Sequence, residues 1–268
     1  MSVYAEILQH RELFANLFRR DFRAKYKGTF LGVLWSLVNP LVLMGIYTLV
    51  FSVLFPVSGV PHYPLYLLSG LAIWVFLSAS LPTSARSLLD NANLIKKVRF
   101  PRQLTAFSTV AAQLVALAAI LALLIPVNLI VIPETRETIW LTIPLVVPVI
   151  ALVAGLSLAV SAANVVFRDV EHMVAALLLP WFFLTPIMYS FEAGGILRGP
   201  IEDHPTLVSF LHWGNPITPP IEAVRDVLFW GRLPHVWDVV YLLVAAVLAL
   251  GLGAWVFRRV DDRIAVEL

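Results

Sequence analysis

Long apolar stretches without a central charge constrain this chain more than any other feature of its sequence. Six of them occur, at residues 33–55, 65–85, 104–132, 139–163, 173–190 and 236–257. A helix rises 1.5 Å per residue and needs about 20 apolar residues to cross a hydrocarbon layer of about 30 Å. The stretches therefore predict an all-α membrane protein with six transmembrane helices.

The composition indicates that lipid rather than water surrounds most of the chain. Hydrophobic residues make up 60% of the 268 residues and charged residues 13%, whereas soluble domains carry about 25% charged residues. The chain has no cysteine, which excludes disulfide bonds and thiolate metal sites. Residues of mixed polarity precede the first apolar stretch, and we expect that stretch to be a retained span rather than a cleaved signal peptide.

The Lys and Arg residues are distributed unequally between the two sides of the predicted spans. With a cytoplasmic N-terminus, the inner segments hold Arg11, Arg19, Arg20, Arg23, Lys25, Lys27, Arg86, Lys96, Lys97, Arg99, Arg102, Arg168, Arg258, Arg259 and Arg263. The outer segments then hold Arg136, Arg198, Arg225 and Arg232. Because cytoplasmic loops are enriched in Lys and Arg, we predict that both termini are cytoplasmic.

The N-terminal segment, residues 1–30, has the pattern of an amphipathic helix. Its apolar face would carry Ile7, Phe14, Leu17, Phe18 and Phe22. Its basic face would carry Arg19, Arg20, Arg23 and Lys27. Such a helix lies along a membrane surface with its apolar side in the lipid and its basic side towards anionic headgroups. A membrane anchor and a protein-docking role are equally compatible with this pattern.

The stretch LIKKVRFPRQL, residues 94–104, concentrates positive charge between the second and third spans. Its cations are Lys96, Lys97, Arg99 and Arg102. The predicted topology places this loop in the cytoplasm, where it would at least enforce the orientation of the chain.

Prolines interrupt the fifth stretch and the segment that follows it. Pro180 and Pro186 lie within residues 173–190, and we expect a kinked helix there. In the outer segment 191–235, TLVSFLHW and PPIEAVRDVLFW predict two short helices, the second with prolines in its first turn. Short apolar helices outside the membrane favour dipping back into it, which predicts re-entrant helices between spans five and six.

Small residues recur at helical spacing in the fourth stretch and near the start of the first. These residues are Ala151, Gly155, Ala159 and Ala163, together with Gly28 and Gly32. Small residues at every fourth position let helix backbones approach closely. For the fourth stretch, packing within one subunit is favoured over a dimer seam.

Aromatic residues follow one face of the first stretch and cluster in the fifth. They are Tyr47, Phe51, Phe55, Trp181, Phe182, Phe183 and Tyr189. An interfacial belt is the favoured interpretation. A lined conduit is the alternative, because aromatic faces pack on the apolar faces of sugar rings.

Motifs for nucleotide binding and catalysis are missing from the sequence. A phosphate-binding loop requires a Gly-Lys pair, and the chain contains none. His172 lies beside Asp169 and Glu171, where a helix cap or salt bridge is favoured over a metal site. The interiors of the stretches contain no ionisable residue, which disfavours a proton- or sodium-coupled transporter. We therefore predict no catalytic residue, no metal site and an external source of energy.

Four stretches together resemble a known family. They are YKGTFLGVLWSLVNPL (26–41), LIKKVRFPRQL (94–104), NVVFRDVEHMV (164–174) and NPITPPIEAVRDVLFWG (215–231). The chain is similar to the permease subunit of type-2 ABC transporters, in the branch that exports O-antigen, capsule or teichoic acid. The resemblance implies a half-transporter in the cytoplasmic membrane of a bacterium, moving lipid-linked polysaccharide.

The resemblance also implies the partners of the chain. A second copy of the permease would pair with it, and two copies of a separate ATPase would hold the ATP and Mg. No cofactor is then expected in this chain, and no nucleic acid.

Site residues follow from the same resemblance. The loop 94–104 would be a coupling helix seated in a cleft of the ATPase, through Lys96, Lys97, Arg99, Phe100, Pro101 and Arg102. The basic N-terminal helix would lean on the ATPase. A conduit at the dimer interface would be lined by spans one and five, with Tyr47, Phe51, Trp181 and Phe183. The outer segment would be a gate that includes Trp213, Asn215, Pro216, Glu222 and Arg225.

Two other functions stay open at this point. The first is a type-2 ABC exporter of drugs or lipids, which the NPITP stretch and the compact length disfavour. The second is a membrane-bound glycosyltransferase, which would need an acidic site at a membrane face such as Asp169 with Glu171. On the favoured interpretation the chain is one transmembrane domain. It comprises an interface helix at 1–30, a six-span core at 33–257 and a cytoplasmic tail at 258–268.

Overall fold

Every regular element that the structure describes is a helix. The computed structural model describes residues 9–54, 60–98, 100–190 and 204–267, with side chains as far as residue 261. Its α-helices are α1 (Arg11–Tyr26), α2 (Trp35–Thr48), α3 (Tyr63–Asp90), α4 (Ala92–Lys97), α5 (Gln103–Val131), α6 (Thr142–Val166), α7 (Val170–Leu184), α8 (Pro205–Trp213), α9 (Thr218–Arg225) and α10 (Val236–Glu267). Short 3₁₀ or π segments flank them at Gly32–Leu34, Leu49–Leu54, Pro133–Glu137, Ile139–Leu141 and Asp226–Trp230. The predicted all-α class is confirmed.

Five helical segments of the described chain are long and apolar enough to cross a membrane. They are Gly32–Leu54, Tyr63–Lys97, Gln103–Val131, Ile139–Val166 and Val236–Asp261. Each matches one of the predicted spans to within a few residues, apart from the extra turns at the ends of α3 and α10. The remaining predicted span corresponds to α7, a shorter apolar helix of 15 residues. The count of six spans stays a prediction.

Helix α3 lies at the centre of the bundle. Leu67, Leu71 and Leu77 are fully buried, and α2, α5, α6 and α7 pack around them. Hydroxyl groups join the helices where α3 meets its neighbours: Ser84 Oγ lies 3.0 Å from Thr109 Oγ1 of α5, and Ser87 Oγ lies 3.2 Å from Ser161 Oγ of α6. Small side chains and short hydrogen bonds hold membrane helices together where lipid is as apolar as protein.

Helices α6 and α10 meet backbone to backbone. A Cβ atom on Gly155 would fall inside the main chain of Ala249 and Leu250. A Cβ atom on Gly253 would fall on the carbonyl oxygen of Gly155. We call this contact the α6–α10 seam. At Gly155, the small-residue pattern of the fourth stretch therefore serves packing within one subunit, as the sequence favours.

One end of the bundle, which we call the basic end, gathers the terminal turns of α3, α6 and α10 with the first turns of α5 and α7. Arg86 of α3 pairs with Glu171 of α7 at 3.0 Å. Arg102, before α5, pairs with Asp261 of α10 at 3.0 Å. The first ion pair ties α3 to α7, and the second ties the start of α5 to α10.

The opposite end of the bundle is closed by α9. Its residues are buried against α3, α6 and α10. Asn128 Nδ2 of α5 donates to the carbonyl of Leu228 at 2.5 Å, and Thr138 Oγ1 donates to the carbonyl of Val227 at 2.9 Å. The predicted short helices of the outer segment are thus present as α8 and α9, and α9 is part of the core. Whether they re-enter a membrane stays a prediction.

One of the two prolines of the fifth stretch acts differently from the expected kink, and a kink at the other stays a prediction. Helix α7 ends at Leu184, and Thr185 is extended, with φ −96° and ψ 132°. A proline disfavours helical backbone at the residue before it. Pro186 therefore ends the helix instead of bending it, whereas Pro180 lies inside α7.

Two glycines near the start of the first span do not make a helix contact. Gly28 and Gly32 have left-handed backbone φ values of 80° and 53°. A Cβ atom on either would have no neighbour within 4 Å. The expectation of a close helix approach there is wrong, because these glycines turn the chain between α1 and α2.

The C-terminal helix is longer than the predicted span. Helix α10 continues through Glu267, so the predicted tail at 258–268 begins inside a helix.

Candidate functional site

An aromatic cluster joins α2, α3 and α7 in the middle of the bundle. The ring of Tyr47 lies 6.3 Å from that of Phe51 and 5.8 Å from that of Phe182. Trp74 of α3 contacts Phe182 at 5.4 Å and Trp181 at 6.0 Å. The predicted conduit residues Tyr47 and Phe51 contact each other directly, and Trp74 and Phe182 connect them with Trp181. The sequence pattern marked Phe182 only as one of the clustered aromatics, and it did not mark Trp74.

The cluster borders a shallow cavity of about 320 Å³. Its walls are formed by Leu43, Tyr47, Trp74, Ala175, Leu178, Leu179 and Phe182. Phe183, the fourth predicted conduit residue, is 52% exposed and contacts the cluster through Phe182 at 5.5 Å. Aromatic faces at an open cavity can pack on the apolar faces of sugar rings without fixing their position.

Helix α2 and its π segment expose one apolar stripe in the described structure. Val42, Ile46, Leu49 and Val53 recur at spacings of four, three and four residues, and each is at least half exposed. This spacing places them on one face of a helix. On α7, Met173, Leu177, Leu179 and Leu184 are also exposed. Helices α2 and α7 border the same shallow cavity, and we call their exposed apolar residues the α2–α7 face. Exposed apolar residues on two such helices can face lipid or another protein surface.

A fully buried arginine fixes the end of α7 that is remote from the basic end. Arg225, the last residue of α9, donates through Nη1 to Glu222 Oε1 at 2.5 Å and to the carbonyl of Pro186 at 2.9 Å. Its Nη2 atom lies 3.4 Å from the carbonyl of Ile187, and its guanidinium lies 4.0 Å over the ring of Tyr66. A buried charge requires such compensation, since an unpaired one would be costly to desolvate. We call this group the arginine clamp.

Two tyrosines of α3 extend the arginine clamp along the same segment. The Tyr63 hydroxyl donates to the carbonyl of Met188 and the Tyr66 hydroxyl to the carbonyl of Tyr189, both at 2.7 Å. Four consecutive carbonyls after α7, from Pro186 to Tyr189, thus accept hydrogen bonds from other elements. This segment is held in one position relative to α3 and α9.

Asn215 connects the predicted gate with the predicted conduit. Its Oδ1 atom accepts from the indole Nε1 of Trp181 at 2.8 Å. Its Nδ2 atom donates to Thr185 Oγ1 at 2.9 Å. Pro216 follows and is half-buried. Trp213, at the end of α8, is 41% exposed, with its ring 5.8 Å from that of Tyr241.

Helix α1 packs its apolar face on protein. Leu17 is buried, and Phe14 packs against a cluster that contains Phe107 and Phe257. Asp21 accepts a hydrogen bond from Ser108 of α5 at 2.6 Å. The expected burial of this face in lipid is therefore replaced, at these residues, by contact with the bundle.

The basic face of α1 points largely to solvent. Arg19, Arg23 and Lys27 are exposed. Arg20 is partly engaged, because it bonds Asn91 at the end of α3 and Asp21 beside it. The exposed cations form a surface suited to anionic lipid or to an acidic protein surface.

The basic loop divides its cations between two environments. Lys96 and Lys97 end the short helix α4 and are exposed, where they complement the negative end of the helix dipole. Arg102 instead ties the loop to Asp261. Phe100 and Pro101 are half-buried. Arg99 lies outside the described residues.

The last turn of α6 contains a buried residue that the sequence interpretation missed. Asn164 accepts from the backbone N–H of Glu171 at 2.9 Å and donates to the carbonyl of Ala85 at 2.9 Å. It therefore caps α7 and fixes it to α3. The Glu171 carboxylate is paired with Arg86, and no group of metal-ligating side chains occurs among the described residues.

Comparisons with known proteins agree along the length of the chain. A family model described as ABC-2 type transporter matches residues 12–229. The O-antigen export system permease protein RfbA of Myxococcus xanthus is 30% identical over 269 residues, covering 98% of each chain. A protein of the same name from Klebsiella pneumoniae is 28% identical, covering 95% of this chain and 94% of its own. The polysialic acid transport protein KpsM of Escherichia coli is 23% identical and covers 92% of both.

Proposed function

Because the chain belongs to the ABC-2 type transporter family, we propose that it is the membrane subunit of an ATP-driven exporter of lipid-linked polysaccharide. Membership of this family makes it a transport subunit, and the names of its relatives favour a polysaccharide over a drug as cargo. The ATPase would be a separate chain, in agreement with the absence of a phosphate-binding loop from the sequence.

The unpartnered face of α2 and α7 carries the proposal. Two helices that each expose several large apolar side chains, with aromatic side chains at their junction, suit an interface between two copies of the permease. The polymer would move along this interface, past Tyr47, Phe51, Trp181 and Phe183. Sugar rings could slide over aromatic faces because these contacts have no fixed register.

Coupling to ATP hydrolysis would occur at the basic end. Lys96 and Lys97 project from α4, and the ion pair between Arg102 and Asp261 links that loop to α10. A displacement of α4 by the ATPase would be transmitted directly to α3, since only one residue separates the end of α3 from the start of α4. We place the basic end in the cytoplasm on the positive-inside rule.

A sixth crossing by α7 is supported by its partners. Glu171 contacts Arg86 near one end of α3, and the carbonyls after α7 contact Tyr63 and Tyr66 at the other end. The helical rise between Tyr63 and Arg86 is about 35 Å. The 15-residue helix with the extended segment after it therefore runs the whole length of α3.

Single cysteines test the proposed interface, because the natural chain has none. Cysteine at Val42, Ile46, Leu49 or Val53 should cross-link two copies in native membranes, since these residues form one exposed stripe. Cysteine at Leu243 or Val247, which are equally exposed on α10, provides the matched control. Dimers on denaturing gels are expected for α2 and absent for α10. Cross-linking through α10 alone would contradict the proposed interface between two copies along α2 and α7.

Charge reversal tests the coupling surface. The double variant Lys96→Glu/Lys97→Glu should lose the ATPase on co-purification, because a cationic surface becomes repulsive towards its partner. Each charge-assisted contact contributes on the order of 1–3 kcal/mol. Arg136→Glu, an exposed reversal at the opposite end, should retain the ATPase. Normal export by the double variant would leave these lysines with a role in topology alone.

A further inference from the structure

A second cavity, of about 370 Å³, lies at the end of the bundle opposite the basic end. We call it the polar cavity. Its lining comes from α8, α9, the π segment after α9, the start of α10 and the residues just before α10, together with Ser190 after α7. It comprises Ser190, Val208, Ser209, His212, Trp213, Glu222, Asp226, Arg232, His235 and Asp238. It is separate from the aromatic cluster, with which it shares no lining residue. Its volume is in the range of small-molecule sites.

Ion pairs and a histidine–aspartate contact hold the walls of the polar cavity. Asp226 is buried and accepts from Arg232 at 2.7 Å and 2.8 Å. His212 of α8 lies 2.7 Å from Asp238 of α10, which is also buried. Glu222 is held by Arg225. Carboxylates that are fixed in this way are preorganised, so a ligand would not have to order them on binding.

The lining chemistry fits a ligand with many hydroxyl groups. Each hydroxyl both donates and accepts, and the cavity offers carboxylate acceptors, guanidinium donors and the hydroxyls of Ser190 and Ser209. Trp213 adds an indole face for the apolar side of a sugar ring. Convergent polar groups beside one aromatic face are the arrangement that orients small ligands in protein sites.

The charge of the lining selects among sugars. Glu222, Asp226 and Asp238 carry three carboxylates, whereas Arg232 is the one Lys or Arg among the described lining residues. Counting Arg225 behind Glu222 and taking His212 and His235 as neutral, the described lining has one more carboxylate than cations. A carboxylate on the ligand would be repelled. The preferred ligand is therefore a neutral sugar or an amino sugar, and an acidic sugar is disfavoured.

We propose that the polar cavity is a binding site for a non-acidic sugar unit of the exported polymer on the far side of the membrane. This inference rests on the proposed function. The site adjoins Ser190, which follows directly on the segment fixed by the arginine clamp. A sugar retained there would hinder backward sliding of the polymer between ATPase cycles.

Thiol protection in the full-length permease tests the site. Ser209→Cys places a thiol on the exposed face of α8. Its labelling by a membrane-impermeant maleimide is measured in the presence of N-acetylglucosamine, glucosamine or glucuronic acid. Saturable protection is expected from the first two sugars and not from glucuronic acid. Glu137→Cys, exposed at the same end but outside the polar cavity, should label equally with and without sugar.

Two further variants locate the binding. In the Ser209→Cys background, Trp213→Ala should raise the sugar concentration for half-protection about fivefold. Trp237→Ala, an exposed tryptophan outside the cavity, should leave it unchanged. If Trp213→Ala does not fold, Trp213→Leu gives the same comparison, because it keeps a bulky apolar side chain without the indole face.

Several outcomes would overturn the proposal. They are no saturable protection by either non-acidic sugar, stronger protection by glucuronic acid, and protection whose concentration dependence is unchanged in both Trp213→Ala and Trp213→Leu. The test needs neither ATPase nor export. A permease that cross-links through α2 and retains its ATPase but shows no protection would refute the sugar site and leave the transport function standing. Protection in a permease that neither cross-links through α2 nor binds its ATPase would support the sugar site and refute the proposed transport function.

Discussion

The α6–α10 seam and the α2–α7 face are both built from apolar helices, yet they pack in opposite ways. At the seam, glycines bring two backbones into contact within one protomer. In the α2–α7 face, only 6% of the residues in the most apolar part of Gly32–Leu54 are buried. The corresponding shares are 44% for Ile139–Val166 and 72% for Tyr63–Lys97. The same composition thus serves a closed contact in one place and an open surface in the other.

The difference shows how a membrane protein can keep a surface available. Exposing apolar side chains costs little in lipid, because lipid tails are as apolar as leucine. Helix α7 therefore needs few apolar contacts and is held by polar groups at its two ends. Asn164 and Arg86 hold the basic end, and the arginine clamp and Asn215 hold the other. Leu177 and Leu179 in the middle of α7 stay exposed, as the proposed conduit wall requires.

The largest expected effect comes from releasing the fixed end of α7. Arg225→Ala should destabilise the permease by about 3–5 kcal/mol, because Glu222 and the carbonyls of Pro186 and Ile187 lose their partner. The measurement is thermal unfolding in detergent. The double variant Glu222→Gln/Arg225→Met removes both charges and should recover part of the loss. Equal stability of Arg225→Ala and the natural protein would show that α7 is not held by this residue.

A pair of glycine substitutions compares the two regions directly. Gly155→Ala should cost about 1–3 kcal/mol, because the new Cβ atom forces α6 and α10 apart. Gly45→Ala on α2 should leave the unfolding temperature of the protomer unchanged or slightly raised, since no atom lies within 4 Å of its Cβ position. Similar losses of stability from both variants would show that the α6–α10 seam and the α2–α7 face do not differ in how closely they are packed. Dimer formation by Gly45→Ala is measured separately by cross-linking.

The smallest effect is expected on transport without loss of structure. Tyr47→Ala and Trp181→Ala should slow polymer export several-fold while dimer formation and ATPase binding persist, because each removes a ring from the proposed path. Trp181→Phe keeps a ring but loses the hydrogen bond to Asn215, which contributes about 0.5–1.5 kcal/mol. It should export faster than Trp181→Ala. Trp255→Ala, on the exposed face of α10, is the control, and equal slowing by it would show that the aromatic cluster has no special role.

Much of the local structure could be predicted from the sequence. Uninterrupted apolar stretches must form helices in lipid, because every backbone polar group has to be satisfied within the segment. That requirement accounts for the match of five predicted spans with helical segments. Proline and polar residues in the outer segment correctly predicted that α8 and α9 would be short, separate helices. The unequal distribution of Lys and Arg predicted an orientation before any contact was known.

The candidate site was only partly predictable, for reasons that differ between residues. Tyr47 and Trp181 were visible as aromatics, but Trp74 lies in a stretch where every face is apolar. Amphipathic periodicity cannot mark the inner face of such a helix, since lipid and protein interior have the same polarity. Asn164 was hidden because its two partners come from α3 and α7.

Sequence alone determined which segments are helical and where cations concentrate, because hydrogen bonding and charge placement are local properties. Only the tertiary structure decided that Arg225 is buried. In sequence, Glu222 and Arg225 are three residues apart, as in any exposed ion pair on a helix. Their burial depends on Tyr66 from α3 and on the carbonyls after α7, which reach them only when distant segments pack together.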